Sequence, residues 1–224
     1  MGFIIECISL GKTYKRKGSA FTALSDINLK VSENEALLIR GRSGAGKSTL
    51  IHLMSGLIRP TSGKVLFDGI ELGNSGNSIL SEILLNKTGI IFQNFNLLPA
   101  YTVFENIELG ILPKKTNSGK YREIINEYLK QFDLEGKEQL LPAELSTGQQ
   151  QKVAVIRTLV REPSLIFADE PTGSVDDQSA SEILEHLMNL KRQKNITLVM
   201  ATHGNIPDRY ADRIIELENG RIKG

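Results

Sequence analysis

Three short segments carry residue types and spacings suited to chemistry on phosphate. Gly41-Arg42-Ser43-Gly44-Ala45-Gly46-Lys47-Ser48-Thr49 satisfies G-x-x-x-x-G-K-[ST]. Glycines in such a loop let successive backbone N–H groups converge on phosphate oxygens, and a following helix points its positive dipole end at the same anion. Lys47 then brings a point charge to β- and γ-phosphates, and Ser48 offers its hydroxyl to Mg²⁺. The second segment is Asp169-Glu170, two acids closing the apolar run Leu165-Ile166-Phe167-Ala168. An aspartate at the carboxyl end of a buried strand can hold Mg²⁺ through its water shell, and the adjacent glutamate can orient and deprotonate water. Alone, two acids there would be a strand end meeting solvent; a phosphate loop upstream changes that. The third is Leu145-Ser146-Thr147-Gly148-Gln149-Gln150-Gln151, where Ser146 and Gln149 have the spacing of a capping box. It is an ordinary helix start, and also a second place where N–H groups could meet an anion. Two separate phosphate sites in one chain suggest two chains sharing one nucleotide.

The elements that must position these residues are legible in outline. Ala36-Leu37-Leu38-Ile39 reads as a buried strand before the loop, and Leu50, Ile51, Leu53 and Met54 as the helix after it. Phe3 to Ile8, Ile27 to Val31, Val65 to Phe67, Gly89 to Phe92, Leu165 to Ala168 and Ile196 to Ala201 read as further strands. Gln93 follows the fourth of these, and His203 the last. Ser78 is a candidate cap for a helix carrying Ile79, Ile83 and Leu84. From Gln93 to Pro163 the pattern turns mostly helical, with Ile124, Ile125, Tyr128, Leu129 and Phe132 at helical spacing. Within it Lys114 to Lys120 reads as a solvated basic turn. Ala180, Ile183, Leu184 and Leu187 share a helix face, and Asn219-Gly220 marks a hairpin turn. Strands alternating with helices imply a parallel sheet with helices packed on it and a helical insertion between Gln93 and Pro163.

Composition excludes several classes. The chain has 224 residues, and Lys+Arg 27 against Asp+Glu 26 leaves no global basic footprint for nucleic acid. A single cysteine, Cys7, allows no internal disulfide and suits a reducing compartment. The N-terminus lacks a secretory signal, and no apolar run approaches the ~20 residues needed to cross a bilayer. Work at a membrane would need another chain to hold this one there.

In order, these motifs resemble the nucleotide-binding subunit of an ATP-binding cassette (ABC) transporter over essentially the whole chain. Gly41 to Thr49 match the family's Walker A, Gln93 its Q-loop, and Leu145 to Gln149 its L-S-G-G-Q signature. Leu165 to Glu170 match Walker B, Ser174-Val175-Asp176 the D-loop, His203 the switch histidine, and Tyr14 the A-loop aromatic. The resemblance implies an α/β fold of the P-loop NTPase (RecA-like) type: a parallel sheet core, an antiparallel β subdomain and an inserted α-helical subdomain. It implies one domain over 1–224, with 1–92 and 163–224 forming the core and 93–162 the helical part. It implies ATP and Mg²⁺ as cofactors. Tyr14 would stack on adenine, while Gly41, Ser43, Gly44, Ala45, Gly46, Lys47, Ser48 and Thr49 would cradle the phosphates. Ser48, Gln93 and Asp169 would attend the metal, Glu170 would act as general base, and His203 would contact the γ-phosphate. Ser146, Gly148 and Gln149 would close over nucleotide from the opposite subunit of a head-to-tail homodimer. That dimer would power a separate membrane permease from the cytoplasmic face, with no nucleic acid partner.

Three departures from the family pattern are visible: Thr147 for the first signature glycine, Val175 where Leu is common, and Gly204 where Asp often follows the histidine. Phe95 to Pro99, Thr102 to Leu109 and Ala168 to Gly173 resemble the lipoprotein-release and macrolide-exporter branch, which points to export or mechanical transmission. No regulatory domain is expected after Gly224, an expectation that mildly favours the same side. A soluble ABC-type ATPase acting on a non-membrane partner is the competing expectation; the stretch from Gln93 to Leu145 is too short for the long coiled coil of chromosome-type members. A small-molecule kinase would leave the signature and His203 unexplained.

Overall fold

The computed structural model describes residues 2–16, 18–74, 76–111, 118–204 and 206–223. In chain order the strands are β1 (Phe3–Arg16), β2 (Ser19–Ser32), β3 (Ala36–Arg40), β4 (Ser62–Phe67), β5 (Ile70–Glu71), β6 (Thr88–Ile91), β7 (Leu165–Asp169), β8 (Thr197–Thr202), β9 (Arg213–Glu218) and β10 (Arg221–Ile222). The helices are α1 (Lys47–Met54), α2 (Asn77–Asn86), α3 (Val103–Glu108), α4 (Ser118–Gln131), α5 (Thr147–Leu159) and α6 (Asp177–Lys194).

Unbroken apolar runs mark strands buried on both faces. They build one sheet in the order β10-β9-β3-β8-β7-β6, parallel from β9 to β6, with β10 added antiparallel. A second sheet, β2-β1-β4-β5, is antiparallel throughout. Side chains alternate across a strand, so the parallel sheet serves two cores. Leu37 and Ile39 of β3, Leu165 and Phe167 of β7, and Val199 and Ala201 of β8 join α1 and the antiparallel sheet. Ala36 and Leu38, Ile166 and Ala168, and Leu198 and Met200 face the other way, toward residues of α3, α4, α5 and α6. The catalytic candidates stand at the edge shared by these cores, where β3, β7 and β8 end.

Several expectations need correction. β1 and β2 each run 14 residues and pair along their length, far beyond Phe3–Ile8 and Ile27–Val31. Register shifts let the ladder continue past positive-φ residues Ser9 and Asp26, which interrupt the alternation on which a sequence reading depends. Ser78 is not a helix cap: Gly76 occupies that position with no side-chain cap bond, and Ser78 lies inside α2. The stretch from Gln93 to Pro163 is less helical than its pattern implies. Residues 93–102 contain no helix, and 132–146 hold only the 3₁₀ turn Pro142–Glu144. Of the basic segment Lys114 to Lys120, residues 114–117 lie outside the described residues, and α4 begins at Ser118. Asn219 and Gly220 both have positive φ, as a tight hairpin turn between β9 and β10 requires.

Candidate nucleotide-binding and hydrolysis site

Gly41 to Gly46 connect β3 to α1, and their conformation leaves the helix start open. Gly46 is the N-cap of α1 at φ 105°, ψ 6°, with no side-chain cap bond, and the first turn carries no acid. A Cβ there would lie 2.7 Å from the Ala23 carbonyl oxygen and 2.8 Å from Leu24 Cδ2, so both conformation and space demand glycine. The first N–H groups of α1 are thus left for an external acceptor. Lys47 is buried, and its Nζ donates to the carbonyl oxygens of Gly41 at 2.9 Å and Arg42 at 3.2 Å. The lysine curls back across its own loop.

Strand ends opposite supply the acids. Asp169 closes β7, and Glu170 follows in the left-handed region at φ 51°, its N–H donating to the Ala201 carbonyl at 2.9 Å. A non-glycine residue there costs on the order of 1 kcal/mol, so the pairing with β8 must hold it. Glu170 is 6 % exposed. Its carboxylate lies 2.7 Å from His203 Nδ1 and 3.6 Å from Lys47 Nζ, and accepts from the Thr202 hydroxyl at 3.2 Å. His203, by contrast, is half exposed. With Nδ1 turned toward Glu170, Nε2 is the ring nitrogen left to face whatever enters the cleft.

Asp169 is tuned differently. Burial pushes its carboxyl above the ordinary carboxylate range, while the Ser48 hydroxyl, His52 and Lys47 draw it down and Glu170 adds to the rise. Its Oδ1 is buried and has no hydrogen-bond partner among the described residues. A carboxylate oxygen stranded beside a serine hydroxyl is the hard-oxygen donor set that Mg²⁺ takes.

The structure brings Ser43, Gly44, Gly46, Lys47, Ser48, Thr49, Gln93, Glu170 and His203 around one cleft of about 300 Å³. Gly41 and Ala45 line an adjoining groove of about 570 Å³, together with Ser43, Gly44 and His203. Tyr14 does not line the cleft; its cross-strand neighbour Phe21 does. Both rings are exposed, Phe21 at 63 % and Tyr14 at 43 %, and Lys12 Nζ stands 5.2 Å from the centre of the Tyr14 ring. Phe21 escaped the sequence reading because only the β1/β2 register puts it opposite Tyr14.

Ser146, Gly148 and Gln149 lie elsewhere, outside the cleft. Ser146 caps α5: its hydroxyl accepts from the Gln149 N–H at 3.3 Å, and Gln149 Oε1 accepts from the Ser146 N–H at 3.1 Å. One turn further along, Gln151 is 1 % exposed, and its Nε2 donates to the Pro171 carbonyl at 2.8 Å. Among the described residues its Oε1 has no donor, which costs about 1–3 kcal/mol.

The loop after Gln93 is fixed from two sides. Arg157 of α5 donates to the carbonyls of Phe95 and Asn96, both at 2.7 Å. Asn106, fully buried in α3, accepts from the Leu98 N–H and donates to the carbonyls of Leu98, Tyr101 and Thr102. Thr102 and Glu105 form the capping box of α3, a signal present in the sequence as Thr-x-x-Glu. Leu97 packs against the core, whereas Leu98 and Tyr101 are each 42 % exposed.

A glycine loop between the end of a parallel strand and a helix start, with acids at the end of the next strand but one, defines a P-loop NTPase. Comparison with known proteins narrows the class. The ABC transporter family model matches residues 24–173, and the chain belongs to that family as an ATP-binding cassette, an ABC-type ATPase. It is 37 % identical to the lipoprotein-releasing system ATP-binding protein LolD of Buchnera aphidicola, over 98 % of this chain and 96 % of that one. It is also 38 % identical to the methionine import ATP-binding protein MetN of Coxiella burnetii, over 98 % of this chain and 62 % of that one. The dimeric post-hydrolysis structure of the cassette MJ0796 of Methanocaldococcus jannaschii, bound to ADP and Pi, superposes with a TM-score of 0.91. That match is at 35 % identity over 98 % of this chain and 97 % of that one. Among the described residues no helix is long and apolar enough to cross a membrane.

Proposed function

We propose that this cassette works as a head-to-tail homodimer that powers a separate membrane permease, of export or mechanotransmission type, from the cytoplasmic face. One observation carries the shared-site reading: the cleft gathers the phosphate loop, Gln93, Glu170 and His203, while the signature start at Ser146 and Gly148 lies outside it. A second copy turned head to tail supplies what the cleft lacks. That the cassette MJ0796 is solved as a dimer with ADP and Pi supports a reading with two copies.

In this reading Gly44, Gly46, Lys47, Ser48 and Thr49 receive the phosphates through the open start of α1. The base lies against the Tyr14/Phe21 aromatic pair, a contact that serves by stacking. Ser48 and Asp169, with Gln93 at the same cleft, would hold Mg²⁺, which would supply positive charge to the phosphate oxygens. Nucleotide draws Lys47 away from Glu170, which frees the carboxylate to take a proton from water while His203 keeps it oriented. Ser146 and Gly148 of the second copy close the far side. Catalysis is mostly positioning and charge, as phosphoryl transfer demands.

Residues 93–162 act as the lobe that meets the permease. Leu98 and Tyr101 stay exposed on a loop pinned by Asn106 and Arg157, so they offer a rigid apolar face next to Gln93. Resemblance to a lipoprotein-releasing ATPase and to an importer ATPase is of similar strength, and export rests on the motif segments that flank Gln93 and Glu170. The decisive test is Glu170→Gln with ATP and Mg²⁺. Light scattering should show twice the monomer mass with nucleotide retained and turnover nearly abolished; a persistent monomer at high protein concentration counts against the shared site.

A further inference from the structure

We infer that Gln151 is a positioning residue that ties the signature helix of a protomer to the turn carrying the same protomer's Glu170. The two nucleotide sites of a dimer are thereby coupled through each chain. This rests on the head-to-tail reading above, in which the α5 start of one chain serves the nucleotide of the other.

Gln151 sits three residues after Gly148, so both lie on one face of α5. That face meets the segment between Glu170 and α6 at its two ends. At the entry, Gln151 Nε2 donates to the carbonyl of Pro171, the residue directly after Glu170. At the exit, Gly148 stands so close to α6 that a Cβ on it would lie 2.3 Å from Ser179 Oγ. Ser179 Oγ in turn donates to Asp176 Oδ2 at 2.7 Å, and Asp176 is the N-cap of α6. Further along, Lys152 Nζ bonds Glu182 at 2.7 Å and keeps α5 and α6 in step.

The chemistry of the glutamine argues for a directional role. It is buried to 1 % exposure with Oε1 unsatisfied, so a methionine or leucine would fill the space without that cost. What an apolar residue cannot supply is the bond to Pro171. Turning the amide over would set Oε1 against the Pro171 carbonyl oxygen, so the donor must be where it is. Glu170 has little freedom to absorb a displacement of its neighbour. Its φ is positive, its N–H is fixed to Ala201, and its carbonyl accepts from the Gly173 N–H at 3.1 Å. A shift of α5 as it closes on the partner's nucleotide therefore reaches the Glu170 turn through one hydrogen bond.

Mixed dimers with a single working base test this. One protomer carries Glu170→Gln, and Gln151→Met is placed either in that protomer or in the one that keeps Glu170. With Gln151→Met beside the intact Glu170, turnover should fall roughly tenfold or more, as a small misplacement of a reacting group does. With Gln151→Met in the other protomer, turnover should stay within about twofold of the Glu170→Gln mixed dimer, because no base there depends on it. Melting temperature and nucleotide affinity of the single variant should match the parent protein. Equal loss in both placements means a disturbed signature helix, and no loss in either means no role; each overturns the inference. If Gln151→Met unfolds, Gln151→Leu repeats the comparison, and unfolding of both makes Gln151 a structural residue and ends the argument. Failure of the control mixed dimer to associate with ATP, seen by light scattering, overturns the shared-site reading itself, and this inference with it.

Discussion

Two helix starts in this molecule could receive an anion, and they are built in opposite ways. The start of α1 has a left-handed glycine and no side-chain cap. The start of α5 has a complete capping box, Ser146 and Gln149 each satisfying the other's backbone. The first waits for a ligand; the second is already paired with itself. A phosphate approaching α5 must compete with the Ser146 cap, while one approaching α1 meets only Lys47 folded over the loop. The difference teaches that two helix starts of one chain need not be equally open to an anion, and under the proposed dimer the self-capped one is the one presented to a second copy.

The largest effect should come from disabling the α1 side. Lys47→Ala should weaken ATP by at least ~100-fold in a fluorescence titration, since it removes charge-assisted bonds worth about 1.5–3 kcal/mol each. Near-normal affinity would erase the contrast between the two helix starts. Phe21→Ala comes next, with a loss of about fivefold in affinity, on the order of 1 kcal/mol of stacking. An unchanged affinity would leave the base to Tyr14 alone. Ser146→Ala should leave monomer affinity unaltered and cost about 1 kcal/mol of stability through the lost cap, read as a lower melting temperature. Turnover of the dimer should fall with it, and weakened binding by the monomer would mean that the two sites are not separate. The smallest effect on the isolated protein should be that of Leu98→Asp with Tyr101→Asp. Both side chains are exposed, so stability should change by no more than about 0.5 kcal/mol each and basal hydrolysis should persist. Stimulation by permease-containing membranes should disappear; retained stimulation would move the docking face elsewhere.

What the sequence disclosed follows the range of the interactions involved. The phosphate loop, the Ser146 capping box, the Asn219-Gly220 turn and the buried strands β3, β7 and β8 depend on neighbours in the chain, and their types were legible. The role of Phe21 depends on a register through two irregular strands, and β1 and β2 were read at less than half their length for the same reason. Gln151 and Asn106 carry no local signal that sets them apart from other helical amides. Only tertiary packing buries them and aims their amides at loop carbonyls. Leu97 and Leu98 are adjacent in an irregular loop yet face different ways, Leu97 against the core and Leu98 outward, a difference that no periodicity in the chain announces.

The placement of β3 has a consequence for how the protein is made. β3 lies between β8 and β9 and hydrogen-bonds to both, yet those strands follow it by some 160 residues or more. On a ribosome working at about 5–20 residues per second, β3 has neither neighbour for roughly ten to thirty seconds. During that time an apolar strand offers two open edges, each a template for wrong pairing. The loop at Gly41 can meet Thr202 and His203 only after the last strands are out, so catalytic competence arrives at the end of synthesis. Chains cut short before β8 should collect in aggregates rather than persist as weak enzymes.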